Sequence, residues 1–405
     1  VVGRSSAYGV MGVYGEPTAV TASGAFETAR ARIRATDDVT LEHMCDVTRI
    51  PAPSGREAER GRWFADRLHE LGLGPMTDAV GNVHAVTPCA DVHAKALVIA
   101  SHLDTVFAGT TALDIRRDGD RLTGPGISDN ARGLAGLLAL ARGLLAAGWP
   151  TARPVAFVAT VGEEGAGDLR GVKHYIARNG DRIASFIALD GAGAARIITA
   201  GVGSRRLRVT FRGPGGHSWS DWGAPNATHA VGRAIASLTS LRLPAAPRTT
   251  LSVGSIGGGT SINTIPEEAW FELDLRSEAV APLQELEIAV RDQIERARHA
   301  EARTRELGVI VEVFGDRPAG RTRESDPLVE AAVAATRAID LVPELASSST
   351  DANVPMSVGI PAIAIGAGGD AGGTHTLREW YDNRGGPAGL ERALMVVLET
   401  AGLAR

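Results

Sequence analysis

Continuous apolar runs and helical patterns alternate along most of the chain. Four short apolar runs occupy residues 95–100, 154–161, 185–189 and 361–365. Runs of this kind are typical of strands that are covered on both faces. Between them, the patterns over residues 129–149 and 326–339 predict helices. The chain therefore predicts an α/β fold with a mixed open sheet layered by helices.

From about residue 203 the pattern changes to an alternation of apolar and polar residues. Residues 206–212 and 270–276 each place apolar side chains on one face and polar side chains on the other. This alternation is typical of half-buried antiparallel strands. A charged helix over residues 283–306 and a strand over 309–313 follow. Together these elements predict a smaller α+β unit.

We interpret this change of pattern as an insertion of one domain into another. The smaller α+β domain covers residues 203–314, and the larger catalytic domain covers residues 31–202 and 315–405. Residues 1–30 are rich in Gly, Ser, Thr and Ala and are assigned to an N-terminal extension. Ser54 and Glu57 have the spacing of a capping box at the start of a helix.

Composition and charge limit the kind of partner. The chain has 405 residues, of which 44% are hydrophobic, and can bury a large core. Its net charge of −5 argues against binding nucleic acid or an anionic membrane by bulk charge. Cys45 and Cys89 are too few for a disulfide framework, and no apolar stretch reaches the length of a membrane span. We expect a soluble, cytoplasmic protein that acts on a small molecule.

Ionisable side chains follow the ends of the predicted strands. Six of them follow strands: His102, Asp104, Glu163, Glu164, Asp190 and His375. A seventh, Asp129, begins the predicted helix over 129–149. Ligands gather at the carboxyl ends of strands in open α/β sheets, so we expect the set to converge. Taken singly, each has a simpler interpretation: Asp129 could be a helix N-cap, and Glu163 and Glu164 a solvated loop.

Convergence of these groups favours a metal site. Several half-buried ionisable groups are costly unless they are paired, solvated or metal-bound. Histidine and carboxylate ligands without cysteine suit zinc, with cobalt or manganese as alternatives, and one carboxylate can bridge two ions. Asp104 is placed to hold the second imidazole nitrogen of His102. The sequence therefore predicts a site for about two Zn²⁺ ions per chain.

Seven short motifs occur in an order that resembles the M20 family of metallopeptidases and amidohydrolases. They are Ser101-His-Leu-Asp-Thr105, Gly126-Ile-Ser-Asp-Asn130, Gly162-Glu-Glu-Gly165, Leu189-Asp190, Gly215-Gly-His-Ser218, Asn263-Thr-Ile-Pro266 and Gly373-Thr-His375. The resemblance spans about residues 40–390, and within the family it is greatest to the peptidase T-like branch of di- and tripeptidases.

The resemblance implies a role for each metal ligand. Asp129 would bridge two ions. Glu164 and His375 would complete one site, and His102 and Asp190 would complete the other. The family also implies a cis peptide bond directly after the bridging aspartate.

The resemblance further implies the groups that act on the substrate. Glu163 would be the general base, and His217 would stabilise the oxyanion. His217, Asn263 and Arg276 would hold the substrate's backbone or carboxylate. The last three lie in the inserted domain, which would act as a lid and carry the contact of a homodimer.

We therefore expect a dinuclear zinc hydrolase that cleaves the amide bonds of small peptides. Two alternatives stay open. The same ligands would serve an amidohydrolase that releases the acyl or carbamoyl group of an N-acyl or N-carbamoyl amino acid. A homologue without activity would instead use the cleft to bind a peptide or metal.

Overall fold

The computed structural model describes residues 19–89, 91, 93–302 and 306–404. The helices of this part of the chain are α1 (Gly24–Ala35), α2 (Asp37–Thr48), α3 (Ala58–Glu70), α4 (Ala131–Ala146), α5 (Arg170–Asn179), α6 (Ala227–Leu238), α7 (Val280–Glu301), α8 (Pro327–Ala338), α9 (Asn353–Ser357) and α10 (Gly386–Ala401). Its strands are β1 (Met76–Thr77), β2 (Val83–Val86), β3 (Ala96–His102), β4 (Arg116–Asp118), β5 (Arg121–Thr123), β6 (Val155–Thr160), β7 (Ile183–Leu189), β8 (Arg196–Gly201), β9 (Gly203–Arg212), β10 (Gly216–His217), β11 (Thr249–Gly258), β12 (Thr264–Ile265), β13 (Glu268–Ser277), β14 (Gly308–Arg317), β15 (Gly320–Arg321), β16 (Glu344–Ser348), β17 (Ala362–Ile365), β18 (Asp370–Gly372) and β19 (Trp380–Asp382).

The larger sheet has the strand order β1-β2-β6-β3-β7-β17-β8-β15, and β16 also pairs with β8. Its four central strands β6, β3, β7 and β17 are parallel, whereas β2 and β8 run antiparallel to their central neighbours. The sheet is therefore mixed. The parallel centre brings the carboxyl ends of four strands to one edge.

Helices cover both faces of this sheet. In β3, Leu97 and Ile99 belong to one hydrophobic core, and Val98 and Ala100 belong to another. Successive strand residues point to opposite faces, so a strand buried on both faces needs a continuous apolar run. Residues from α1, α3, α4, α8 and α10 fill the first core, and residues from α5 and α9 contribute to the second.

The smaller sheet has a separate core. Its strand order is β11-β13-β9-β14, and all neighbours are antiparallel. Leu207, Val209 and Phe211 point inward to α6 and α7, whereas Arg206 and Arg208 alternate onto the other face. The chain enters this sheet at Gly203 and leaves it after Arg317.

Two predictions about the start of the chain need correction. The boundary at residue 30 falls inside α1, where Phe26, Ala29 and Ile33 are buried in the core of the larger sheet. The Gly- and Ser-rich residues before this helix obscured its helical spacing, and residues 1–18 of the predicted extension lie outside the described residues.

The predicted capping box is also wrong. Helix α3 begins at Ala58, and its N-cap residue Glu57 makes no side-chain capping bond. The Ser54 hydroxyl instead donates to the buried carboxylate of Asp104, at 2.5 Å. A buried carboxylate needs donors, and here it takes the hydroxyl that a helix start would otherwise use.

No helix within the described ranges is both long enough and apolar enough to cross a membrane.

Candidate metal centre

The ends of the four parallel strands gather most of the predicted ligands. His102 is the last residue of β3, and Asp190 directly follows β7. Glu164 lies in the turn after β6, and His375 lies in the loop that follows β17 and β18. These positions meet because the strands are neighbours and run in the same direction.

Asp129 lies between the two histidines. Its Oδ1 atom is 3.1 Å from Nε2 of His102, and its Oδ2 atom is 3.1 Å from Nε2 of His375. The N-cap of α4 is the next residue, Asn130, whose side chain accepts a hydrogen bond from the Gly133 N–H. The Asp129 carboxylate is thus left free of capping and faces both imidazoles. The peptide bond between Asp129 and Asn130 is cis.

Two groups of donor atoms share the Asp129 carboxylate. His102, Asp129 and Asp190 form one group, and Asp129, Glu164 and His375 form the other, with the ligand atoms of each group within 4.8 Å of one another. Nε2 of His375 is 3.0 Å from Oε1 of Glu164, and Nε2 of His102 is 3.8 Å from Oδ1 of Asp190. Imidazole nitrogens and carboxylate oxygens at these separations fit two divalent cations that share one carboxylate.

Hydrogen bonds between these residues perturb their protonation. Burial lowers the pKa of His102, but the neighbouring carboxylates of Asp104, Asp129 and Asp190 outweigh it and raise the pKa well above its ordinary value. The hydrogen bond to Asp129 raises the pKa of His375 to about 9. Despite burial, the hydrogen bonds from both histidines hold the pKa of Asp129 well below its usual range. A metal ion that binds to these imidazoles must therefore displace protons.

Asp104 contacts His102 through its backbone oxygen. Nδ1 of His102 lies 3.0 Å from the backbone oxygen of Asp104, whereas the carboxylate Oδ1 is 3.7 Å away. The backbone oxygen therefore fixes the tautomer in which Nε2 faces the other ligands. The Asp104 carboxylate instead accepts the backbone N–H groups of Glu163 and Glu164, each at 2.9 Å. It orients the turn that carries both glutamates.

Glu163 is buried beside the ligands, and burial raises its pKa well above the ordinary value. Its carboxylate belongs to a third group of candidate donors with His102 and Glu164. Arg317, which the sequence analysis did not single out, donates to the Glu163 carboxylate at 3.2 Å. The two residues are 154 positions apart, and no local motif marks the contact.

Glu379 is a second residue that the sequence analysis missed. Its fully buried carboxylate accepts hydrogen bonds from the N–H groups of Gly126, Ser128 and Asp129 and from the Ser128 hydroxyl, at 2.7 to 3.1 Å. These bonds hold the loop that presents Asp129. The only sequence signal is the spacing, since Glu379 follows His375 by four residues in one loop.

Comparison with known proteins identifies the family. The family model for peptidase family M20/M25/M40 matches residues 98–401, about three quarters of the chain. The chain belongs to this family. Members of the M20 family are hydrolases, and the predicted resemblance is confirmed.

Individual relatives agree with this assignment. Succinyl-diaminopimelate desuccinylase of Corynebacterium glutamicum is 27% identical over 253 residues, which are 61% of this chain and 67% of the relative. The aminopeptidase PepT structure from Bacillus cereus has a TM-score of 0.75 at 22% identity and covers 92% of this chain and 99% of that one. A dinuclear metal-binding M20 peptidase of Bacillus subtilis has a TM-score of 0.68 at 15% identity, with 92% and 100% covered. The fold is thus confirmed as an α/β catalytic domain with an inserted smaller α+β domain.

The three substrate-binding candidates of this M20 protein have bonding partners outside the ligand cluster. His217 lies on β10 and Asn263 directly precedes β12; both are exposed, and the Ser218 N–H donates to the backbone oxygen of Asn263 at 3.0 Å. Arg276 is paired with Asp274 on the smaller sheet, at 2.6 Å. Among the residues that the structure describes, no hydrogen bond or ion pair joins any of the three to the ligands.

Proposed function

We propose that this M20 family protein is a dinuclear zinc hydrolase that cleaves the amide bonds of small peptides. The position of Asp129, with one carboxylate oxygen facing each histidine, carries the proposal. It gives two donor groups that meet at one carboxylate, beside a buried glutamate. The proposed peptide substrate draws support from the fold likeness to the B. cereus aminopeptidase PepT.

We assign the ligands as two sites with one shared residue. Glu164 and His375 would hold one ion, His102 and Asp190 would hold the other, and Asp129 would bridge them. When bound, the two ions would supply Lewis acidity and would lower the pKa of a water molecule at the site.

Glu163 is proposed as the general base. Its carboxylate lies within 4.8 Å of the ligand atoms of His102 and Glu164, close enough to reach a water at the site. It would accept the proton of the attacking water and return it to the leaving amine. Asp104 supports this role through the backbone N–H groups of the turn.

The inserted domain would recognise the substrate. We propose that His217 stabilises the oxyanion and that Asn263 and Arg276 hold the substrate's backbone or carboxylate. Since these side chains do not contact the ligand cluster here, a closing movement or a second copy of the chain must bring them to it.

A homodimer through the inserted domain is proposed on the basis of an open sheet edge. Strand β11 is an edge of the smaller sheet, and Ile256 on this strand is 63% exposed. An apolar groove between β11 and α6 is lined in part by Leu241, Leu243 and Val253. An exposed edge strand beside an apolar groove favours pairing with a second chain.

Glu163→Gln is the decisive test of the proposed chemistry. We expect the variant to keep the metal content of the wild type, because its side chain is not among the assigned ligands, and to lose turnover by about 10²–10⁴-fold. Metal analysis and kinetics on a tripeptide panel would measure both. Glu391→Gln, a buried glutamate paired with Arg34 far from the site, is the matched control and should keep full activity. Full activity of Glu163→Gln would refute the role of Glu163.

A second candidate function is the hydrolysis of N-acyl amino acids. The 27% identity to the C. glutamicum desuccinylase over 253 residues favours this alternative. The metal ligands would be the same, so rates on N-acyl amino acids measured beside those on tripeptides would separate the two. A wild-type protein that cleaves only the N-acyl substrates would overturn the peptidase assignment but not the metal chemistry.

A further inference from the structure

Arg317 lies where the chain leaves the inserted domain. It is the last residue of β14, and in the sheet register it pairs with Ser204, near the point where the chain enters. Its side chain is only 5% exposed. The guanidinium is therefore held between the root of the smaller sheet and the ligand cluster of the larger one.

The Arg317 guanidinium hydrogen-bonds to Glu163 at two places. Nη1 donates to the carboxylate oxygen Oε1 at 3.2 Å, and Nη2 donates to the backbone oxygen of the same residue. Nη1 also lies 3.3 Å from the Ser349 hydroxyl. Within the described residues, Arg317 is the only side chain that hydrogen-bonds to the Glu163 carboxylate. A planar guanidinium has several donors in a fixed geometry, so it can bind the side chain and the backbone oxygen of one residue at the same time. A lysine ammonium lacks this fixed geometry.

The contacts with Arg317 bear on whether Glu163 acts as a metal ligand or as a general base. Its carboxylate is close enough to His102 and Glu164 to form a third donor group with them. A carboxylate that coordinates a cation is no longer free to accept a proton from water. Arg317 donates to one oxygen of the Glu163 carboxylate and leaves the other oxygen for proton transfer.

We propose that Arg317 is a positioning residue that keeps Glu163 out of the metal ligand set and in the orientation of a general base. This inference rests on the proposed function. Because Arg317 belongs to the strand that leaves the inserted domain, the root of that domain sets the orientation of the base in the other domain.

The kinetic test uses Arg317→Met and Arg317→Lys, with Arg392→Met as the matched control. Arg392 is fully buried on α10 and bonds to Thr336, away from the site. We expect Arg317→Met to lower kcat by about 30–100-fold, less than the about 10²–10⁴-fold loss expected when the base itself is removed, with KM changed less than about twofold. Arg317→Lys should recover only part of kcat, because an ammonium cannot make both contacts. A third variant, Arg317→Ala, leaves space for free guanidinium. Added guanidinium should restore activity to this variant but not to Glu163→Gln.

A spectroscopic test does not depend on turnover. In the cobalt-loaded protein, Arg317→Met should change the visible absorption spectrum, because the released Glu163 joins the ligands. The double variant Arg317→Met with Glu163→Gln should return to the spectrum of Glu163→Gln alone. Arg392→Met should keep the wild-type spectrum.

The outcomes separate this inference from the proposed function. A wild-type protein that cleaves neither substrate class refutes the proposed function, while the cobalt spectra still decide the role of Arg317. If Arg317→Met keeps kcat within threefold of the wild type, or keeps an unchanged cobalt spectrum, the positioning role is refuted. A loss of kcat equal to that of Arg392→Met would also refute it, since both variants would then act only through the stability of the fold.

Discussion

Replacement of Glu379 by glutamine tests how the shared carboxylate is held in place. The fully buried Glu379 carboxylate accepts four hydrogen bonds from the loop of Asp129. Oε1 accepts three of them and Oε2 accepts the fourth, from the Gly126 N–H at 3.1 Å. Glutamine has the same shape but replaces one acceptor oxygen by an NH₂ donor. The least costly orientation keeps the three bonds at Oε1 and sets the amide nitrogen against the Gly126 N–H.

The expected magnitude follows from this single mismatch. A hydrogen bond to a charged acceptor contributes about 1.5–3 kcal/mol, and a buried donor left facing another donor is not compensated. Burial raises the pKa of Glu379, so removal of the charge recovers part of the cost of burying it. We expect Glu379→Gln to lower the free energy of unfolding by about 1–3 kcal/mol. Because Asp129 loses a rigid support, metal affinity should fall by about 10–100-fold.

Two measurements on the same samples check these values. Urea unfolding of the metal-free protein gives the change in stability, and competition with a chromophoric chelator gives the change in metal affinity. Glu391→Gln is again the control, because Glu391 is buried and, among the described residues, pairs only with Arg34. Metal affinity within twofold of the wild type in Glu379→Gln, or an equal loss in the control, would refute the reasoning.

Three further predictions follow from the packing, protonation and edges of the fold. A Cβ atom on Gly133 would collide with the backbone oxygen at the end of β7, so Gly133→Ala should destabilise the protein by more than about 3 kcal/mol in thermal unfolding. Gly232→Ala is the control and should not destabilise it in this way, because there is open space around Gly232. Because the folded-state pKa of His375 is raised to about 9, its contribution to the stability of the metal-free protein is complete below about pH 6.5 and is lost as the pH rises through 9. Calorimetry in buffers of different ionisation enthalpy should therefore detect a larger proton release on metal binding at pH 7.5, to which His375 contributes about one proton, than at pH 10.5, where His375 is already neutral. On the edge strand β11, Ile256→Lys should give a monomer by size-exclusion chromatography, and Ile310→Lys on the opposite edge should leave the dimer intact.

The central strands were predictable from sequence because burial on both faces leaves a continuous apolar run. The observed bounds of β3, β6, β7 and β17 fall within two residues of the predicted ones. Strand β11 was missed for a physical reason. A bulge between Val253 and Ser255 shifts its register by one residue, so its apolar positions do not keep a single alternation.

The site divides in the same way between local and distant determinants. The assigned ligands follow strand ends or begin a helix, so local pattern places them near one another. Arg317 and Glu379 act through contacts with residues 154 and about 250 positions away. Such contacts exist only after distant parts of the chain have folded together. The Asp104 contact shows the limit at short range, since spacing indicated the neighbour of His102 but not which of its oxygens makes the contact.

The separate cores of the two sheets have an evolutionary consequence. Every assigned cation ligand belongs to the larger sheet and its loops, whereas the candidate substrate contacts belong to the unit around the smaller one. Away from the root around Arg317, substitutions on the smaller unit can therefore accumulate without disturbing the cluster of imidazoles and carboxylates. Proteins with this arrangement can therefore change their substrate preference during evolution while the ligand cluster stays the same.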